Sequence, residues 1–451
     1  MTEVIKNNLL FTFIMLLWLA AGMISSFLAL LIIPLFLLLF RMNSRYQELF
    51  IGFLFILILS DSLEMKMAFA KTFKSLNIVL LALFLISDQK NFMPLNRMFY
   101  LFIPFMIMAF ICLIYAEKNL LPGAQKTISY FLLFIIVPNF VLKNYRDYGP
   151  AFFKNLLYFM LAIIVAGVVL IYVNREVAIS HGERLRGVFG NPNGLGIFLI
   201  LTFILFHIVN NCFPELFSRL EMVIFYLVIF YVTYKTGSRT ALLAIVLFLV
   251  FTQAYRISPT LGLITFIASL LGAEFFMQNY ETIIRAAGME KYFRVDNLQQ
   301  GSGRTVAWEF AWENIQKSMF VGKGFGYDEV LMRTNFDYLS RLGHEGGVHN
   351  TYLILWLNTG LIGLLLFLRG FFLVFIKAAK RSPFAIPVMF AVMFSINFEP
   401  WLAASLNPFT IVFLTIATLL TDEEFVWNTE NDLDNKEMIN QDETEKMAAL
   451  D

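Results

Sequence analysis

The sequence predicts an all-α fold, a polytopic helical membrane protein of about twelve to fourteen spans, on three observations. Of 451 residues, 59% are hydrophobic and 16% aromatic, above the roughly 45–50% apolar content of soluble domains. The apolar residues come in runs long enough to approach the width of a bilayer, and mean hydropathy is +0.71. Lys and Arg gather in alternate short loops, as the positive-inside rule requires of a multi-pass chain.

Taken in order, apolar stretches lie near residues 9–22, 25–40, 48–60, 75–86, 99–115, 127–142, 153–174, 195–212, 220–236, 240–255, 257–276, 351–376, 383–397 and 403–420. The first runs into the second without a small-residue cleavage site, so no cleavable signal peptide is expected. Cys112 and Cys212 fall inside apolar stretches and read as small hydrophobes. A net charge of +1 by itself says nothing about partners; no nucleic acid is expected among them. The loops "RMNSRYQE" (41–48), "SDQKNFMPLNR" (87–97), "KNYRDYGPAFFK" (143–154) and "KAAKRS" (377–382) can all be cytoplasmic together, with both termini. Residues 1–180 then read as N-terminal spans, 181–376 as a functional region with a long outer loop over 277–350 carrying short helices, and 377–420 as C-terminal spans. The acidic stretch 421–451 reads as a disordered cytoplasmic tail.

This orientation puts three polar stretches on the outer side: "SHGERLRGVFGNPNG" (180–194), "KTGSRT" (235–240) and the segment from about Gln278 to Asn350. Their basic residues run against the positive-inside trend. In the first, Asn191 is a good N-cap and Pro192 a good first helical residue, while Arg184 and Arg186 sit among glycines. In the second, Ser238 can cap a helix whose first turn holds Arg239, where a cation opposes the helix dipole. The alternative is an arginine snorkelling to lipid headgroups.

The third stretch contains "GSGRTVAWEFAWENI" (301–315): Ser302 as a cap, Arg304 in the first turn, and Trp308, Ala311, Trp312 and Ile315 along one side. An aromatic stripe of this kind lies at a membrane interface or packs on other helices. "GKGFG" (322–326) lacks the P-loop pattern and reads as a turn. "GHEGGVHN" (343–350) then offers two histidines. His344 is expected on a flexible glycine-rich loop, and His349 against a helix start capped by Asn350. At helical spacing His349, Leu353, Trp356, Gly360 and Gly363 would share one face, its small residues admitting a neighbouring helix. A histidine near a membrane surface is often structural, but it is also the side chain suited to take a proton from a hydroxyl near neutral pH.

The run His349, Asn350, nine residues, Gly360, two residues, Gly363 resembles the motif of bacterial O-antigen ligases and protein O-oligosaccharyltransferases. "GNPNG", "GSRTALL" and "SGRTVAWEFA" precede it in the order that family shows, over roughly residues 184–365. The resemblance implies a C-type membrane glycosyltransferase of the bacterial cytoplasmic (inner) membrane, working at its outer face. It would move a glycan from undecaprenyl diphosphate to a hydroxyl acceptor, with no cofactor and no metal implied. Arg239 and Arg304 match the arginines that neutralise the diphosphate, and His349 the residue that activates the acceptor. Arg184, Arg186, Asn191, Asn193, His344 and Asn350 are the expected substrate-binding positions around them.

Within the family the acceptor divides the possibilities. A ligase uses a lipid A-core, a Wzy-type polymerase another lipid-linked glycan, and an oligosaccharyltransferase a protein hydroxyl; the His-Asn motif favours the ligase. A lipid-linked oligosaccharide transporter is the reading from another class. Transporters commonly place ionisable groups in mid-membrane, and the stretches above hold almost none.

Overall fold

The computed structural model describes residues 2–88, 92, 97–116, 119–180, 183–286, 288 and 304–425. Each apolar stretch of the sequence is a helix. In chain order these are α1 (Thr2–Ile24), α2 (Ser26–Met42), α3 (Tyr46–Asp61), α4 (Ala68–Ser87), α5 (Arg97–Cys112), α6 (Leu120–Tyr148) and α7 (Ala151–Val173). A four-residue helix, α8 (Arg175–Ala178), leads into a hairpin of β1 (Ile179–Ser180) and β2 (Arg184–Leu185). Then come α9 (Pro192–Cys212), α10 (Arg219–Thr236), α11 (Arg239–Ile257) and α12 (Pro259–Ala286). After the long connection follow α13 (Arg304–Gln316), α14 (Tyr327–Thr334) and α15 (Phe336–Arg341), then α16 (Thr351–Ala378), α17 (Ala385–Phe398) and α18 (Pro408–Thr421). Seven described helices are long and apolar enough to cross a membrane, and five more are apolar but shorter. The fold is all-α and polytopic, with the two-residue strands as its small exception.

The helices α9 and α18 form the centre. Nearly every residue of both is buried, as expected of helices that are apolar all round. They start alike. Asn191 accepts from Gly194 N at 2.8 Å and Asn407 from Thr410 N at 2.8 Å, each followed by a proline at the first helical position. A ring contact between Phe189 and Phe409 brings these two N-termini together.

The basic loops meet at the other end of the bundle. Arg41 lies 2.9 Å from Asp88, Lys143 sits over the Tyr46 ring, and Arg381 lies 2.6 Å from Glu423. Arg146 pairs with Glu424, and Phe425 is buried against Tyr145 and Phe153. The stretch 421–451 is expected from its sequence to be disordered, yet its first residues, through Phe425, are docked by these contacts; the remainder, 426–451, lies outside the described residues.

Candidate active site

Four helices begin at the same place. Besides α9 and α18, α11 is capped by Ser238, which accepts from Ala241 N, and α16 by Asn350, which accepts from Leu353 N at 3.0 Å. Gly196 of α9 lets Ser238 approach so closely that a Cβ there would lie 2.9 Å from the serine Oγ. Thr351 at the start of α16 donates to the backbone oxygen of Glu399, and Asn350 donates to Asn397. A helix N-terminus carries roughly half a positive charge. Four of them aimed at one region make it receptive to an anion before any side chain is counted.

Glu399 sits at the middle of this region, its side chain 6% exposed. Arg304 donates to its Oε1 at 2.8 Å, and Asn193 donates to the same oxygen at 2.8 Å. Asn193 in turn accepts from Arg184 at 2.7 Å, while Arg184 Nε donates to the Thr236 carbonyl at 2.7 Å, beside Gly237. A polar chain thus joins the end of α10 to the first residue of α13. On the other side, His349 Nδ1 faces Glu399 Oε2 at 3.9 Å, too far for a hydrogen bond but close enough for an ion pair once the ring is protonated. That nitrogen is buried and has no hydrogen-bond partner among the described residues.

The loop carrying Glu399 is held firmly. Tyr130 donates to Leu402 O at 2.9 Å, Asn407 to Trp401 O at 2.9 Å and Lys74 to Leu406 O at 3.1 Å. The carboxylate is accordingly fixed by its backbone as well as by its partners.

Several expectations meet this geometry directly. Asn191, Ser238 and Asn350 cap as expected, and Arg239 is the first residue of α11, half-buried. Trp308 lies along α13 and donates to Val348 O at 2.9 Å, tying that helix to the strand of chain just before His349. The expected Ser302 cap lies outside the described residues.

Other expectations are corrected. Arg186 does not join the cluster: it donates to Val177 O and Glu176 O, pinning the β hairpin to α8. His344 is not on a loose loop. It is 5% exposed, its backbone N–H bonds Leu339 O at 2.9 Å, its Nε2 pairs with Gly347 O, and its ring meets His349 edge-on at 6.1 Å. His349 is not a helical residue either. It precedes the cap with φ +52°, a left-handed backbone unusual for a side-chain-bearing residue, so it does not head a helical stripe.

Nor does a helix pack at Gly360. That residue has φ 71° and ψ 177° and breaks α16. The turn containing "GKGFG" inserts at the break, where Leu361 N bonds Met319 O at 2.9 Å and Gly324 N bonds Asn358 O at 2.9 Å. A Cβ on Gly360 would lie 2.2 Å from Phe320 O. Backbone groups freed by the break are thereby satisfied, as they must be inside a membrane protein.

Sequence reasoning missed Glu399. The signal was present, because Glu399 is the lone charged residue between Arg381 and Asp422.

Residues 223–368 match the family model described as O-antigen ligase. This region belongs to the O-antigen ligase-like superfamily. The match runs from within α10 to within α16, so the ligase-like region contains Arg239, Arg304, His344, His349 and Asn350. It leaves Arg184, Asn193 and Glu399 outside its bounds. The match supports, in general terms, a membrane glycosyltransferase of the O-antigen ligase and polymerase type. No curated protein matches it.

Proposed function

We propose that the protein transfers a glycan from undecaprenyl diphosphate to a hydroxyl acceptor at the outer face of the bacterial cytoplasmic membrane, as an O-antigen ligase acting on a lipid A-core. The observation that carries this reading is the convergence of four helix N-termini, with Arg304 and Arg184, around Glu399. Such a region favours a ligand bearing concentrated negative charge, and a diphosphate leaving group fits that requirement. Basic loops at the opposite end support the outer assignment of this one.

In the proposed reaction the acceptor oxygen attacks the anomeric carbon and the bond to the diphosphate oxygen breaks. Negative charge grows on the leaving group, where Arg304 and Arg239 are assigned to meet it. Arginine presents a planar fork to phosphate oxygens and stays charged. A fixed donor aimed at developing charge is worth about 3–4 kcal/mol by analogy with oxyanion holes. His349 accepts the acceptor's proton, a contribution of roughly 10²–10⁴-fold. The imidazolium so formed faces the carboxylate of Glu399, which balances it. Attack opposite the leaving group inverts the anomeric configuration.

The test is reconstitution of the purified protein with an undecaprenyl-diphosphate glycan and, separately, a lipid A-core and a second lipid-linked glycan. Core-linked product supports the ligase reading. Elongated lipid-linked glycan would make the protein a polymerase, and no transfer to either acceptor would overturn the proposal.

A further inference from the structure

A cavity of about 290 Å³ lies at the basic end of the bundle, far along α16 from His349. Its walls are Met98 and Leu101 of α5, Val374 of α16 and Thr421 of α18. Its mouth carries Lys377, Lys380 and Arg381. Lys377 stands in the last turn of α16, where the helix dipole favours a cation, and the other two follow in the next turn. Of the three, Arg381 is paired, with Glu423 at 2.6 Å. Lys377 and Lys380 are exposed and have no acidic partner among the described residues. The cavity is therefore two-faced, with apolar walls on the bundle side and about two positive charges at the rim that no described carboxylate pairs.

From this we infer that the cavity is a binding site for an anionic glycerophospholipid, its phosphate-bearing headgroup between Lys377 and Lys380 and the start of an acyl chain against Met98, Leu101 and Val374. Free phosphate satisfies the rim alone, and a zwitterionic lipid satisfies the walls alone. An anionic lipid satisfies both, and lipids of this charge are attracted to clustered cations at a membrane surface. The site is separate from the transferase reading and does not rest on it.

The experiment is native mass spectrometry of the full-length protein in neutral detergent, titrated with phosphatidylglycerol, with phosphatidylcholine, or with phosphatidylglycerol in the presence of inorganic phosphate. Phosphatidylglycerol should be retained at concentrations on the order of tenfold lower than phosphatidylcholine, for two cations at the rim. The Lys377→Gln/Lys380→Gln variant should remove that preference, whereas Arg45→Gln, at the same end but outside the cavity, should leave it. Leu101→Trp, which fills the apolar wall and keeps every cation, should also weaken retention. Equal retention of the two lipids, or a preference unchanged in Lys377→Gln/Lys380→Gln, would overturn the inference. So would displacement of the lipid by millimolar phosphate, which would mean a simple anion site. If phosphatidylglycerol binds only after residues 426–451 are removed, the chain's own acidic tail occupies the cavity and the inference is wrong.

Discussion

Arg304 and Glu399 stand 95 residues apart in the chain and 2.8 Å apart in the fold. The arginine opens α13 and the carboxylate belongs to the residue that caps the C-terminal end of α17, so their pairing ties the long outer connection to the membrane bundle. The carboxylate is almost fully buried and the guanidinium is a quarter exposed. Removing one member of such a pair leaves a charge without compensation, at a cost of about 3–5 kcal/mol where both are buried and less here.

Glu399→Ala should therefore reduce single-turnover transfer by at least about tenfold, because Arg304, Asn193 and His349 all lose their common partner. Glu399→Gln keeps an acceptor oxygen for Arg304 and Asn193 but cannot balance an imidazolium, so it should keep fold stability and still lose rate. Wild-type rates in both variants would remove Glu399 from the site.

Arginine at 239 and 304 should not be replaceable by lysine. Arg304→Lys can still reach Glu399, yet an ammonium cannot reproduce the fork that meets two phosphate oxygens. Loss of transfer by on the order of 10²-fold or more is expected for either variant. Full activity in the lysine variants would show that only bulk positive charge is needed.

At position 349 the backbone is left-handed, a conformation that histidine and asparagine adopt more readily than alanine, so alanine confounds lost chemistry with a backbone effect. Asparagine tolerates that backbone and is the cleaner probe. His349→Asn should retain donor binding and thermal stability while losing transfer, and an active His349→Asn enzyme would rule out a basic role. His344→Ala should cause a smaller loss, by loosening the buried ring against which His349 rests.

Gly360→Ala should destabilise the protein strongly. Its φ and ψ lie in a region that only glycine occupies readily, at about 1–3 kcal/mol, and the added carbon would strike the Phe320 carbonyl. A melting temperature in detergent equal to the wild type would contradict the break seen in α16.

Asp328 supplies a pH dependence. Burial, and then the neighbouring Glu329, push its carboxyl from 3.8 up to about 6, while a hydrogen bond from Asn358 at 2.9 Å opposes the shift. The folded protein thus holds this proton more tightly than the unfolded chain. Stability from this group is present below pH 3.8 and is lost as pH rises to about 6. Asp328→Asn should raise the thermal midpoint at pH 8 and have little effect near pH 4. An equal change at both values would place the effect elsewhere.

The helices themselves were legible in the sequence, because a bilayer demands apolar runs of a set length and each run became a helix. So were the caps at Asn191, Ser238 and Asn350, since capping depends on residues three positions apart. Local chemistry also marked Arg239, Arg304 and His349 as out of place on the side where basic residues are scarce. What no local pattern could supply was their partner. Glu399 meets Arg304, Asn193 and His349 only because α9, α11, α16 and α18 start side by side, an arrangement set by packing among residues far apart in the chain. The same holds for His344, which a glycine-rich neighbourhood suggested was loose and which packing against His349 buries. It holds for Gly360 too, where the sequence showed a small residue and the fold decided that a turn, not a helix, would fill the space. Periodicity and capping act over a few residues and can be read along the chain, whereas charge pairing and close approach are settled only where distant segments meet.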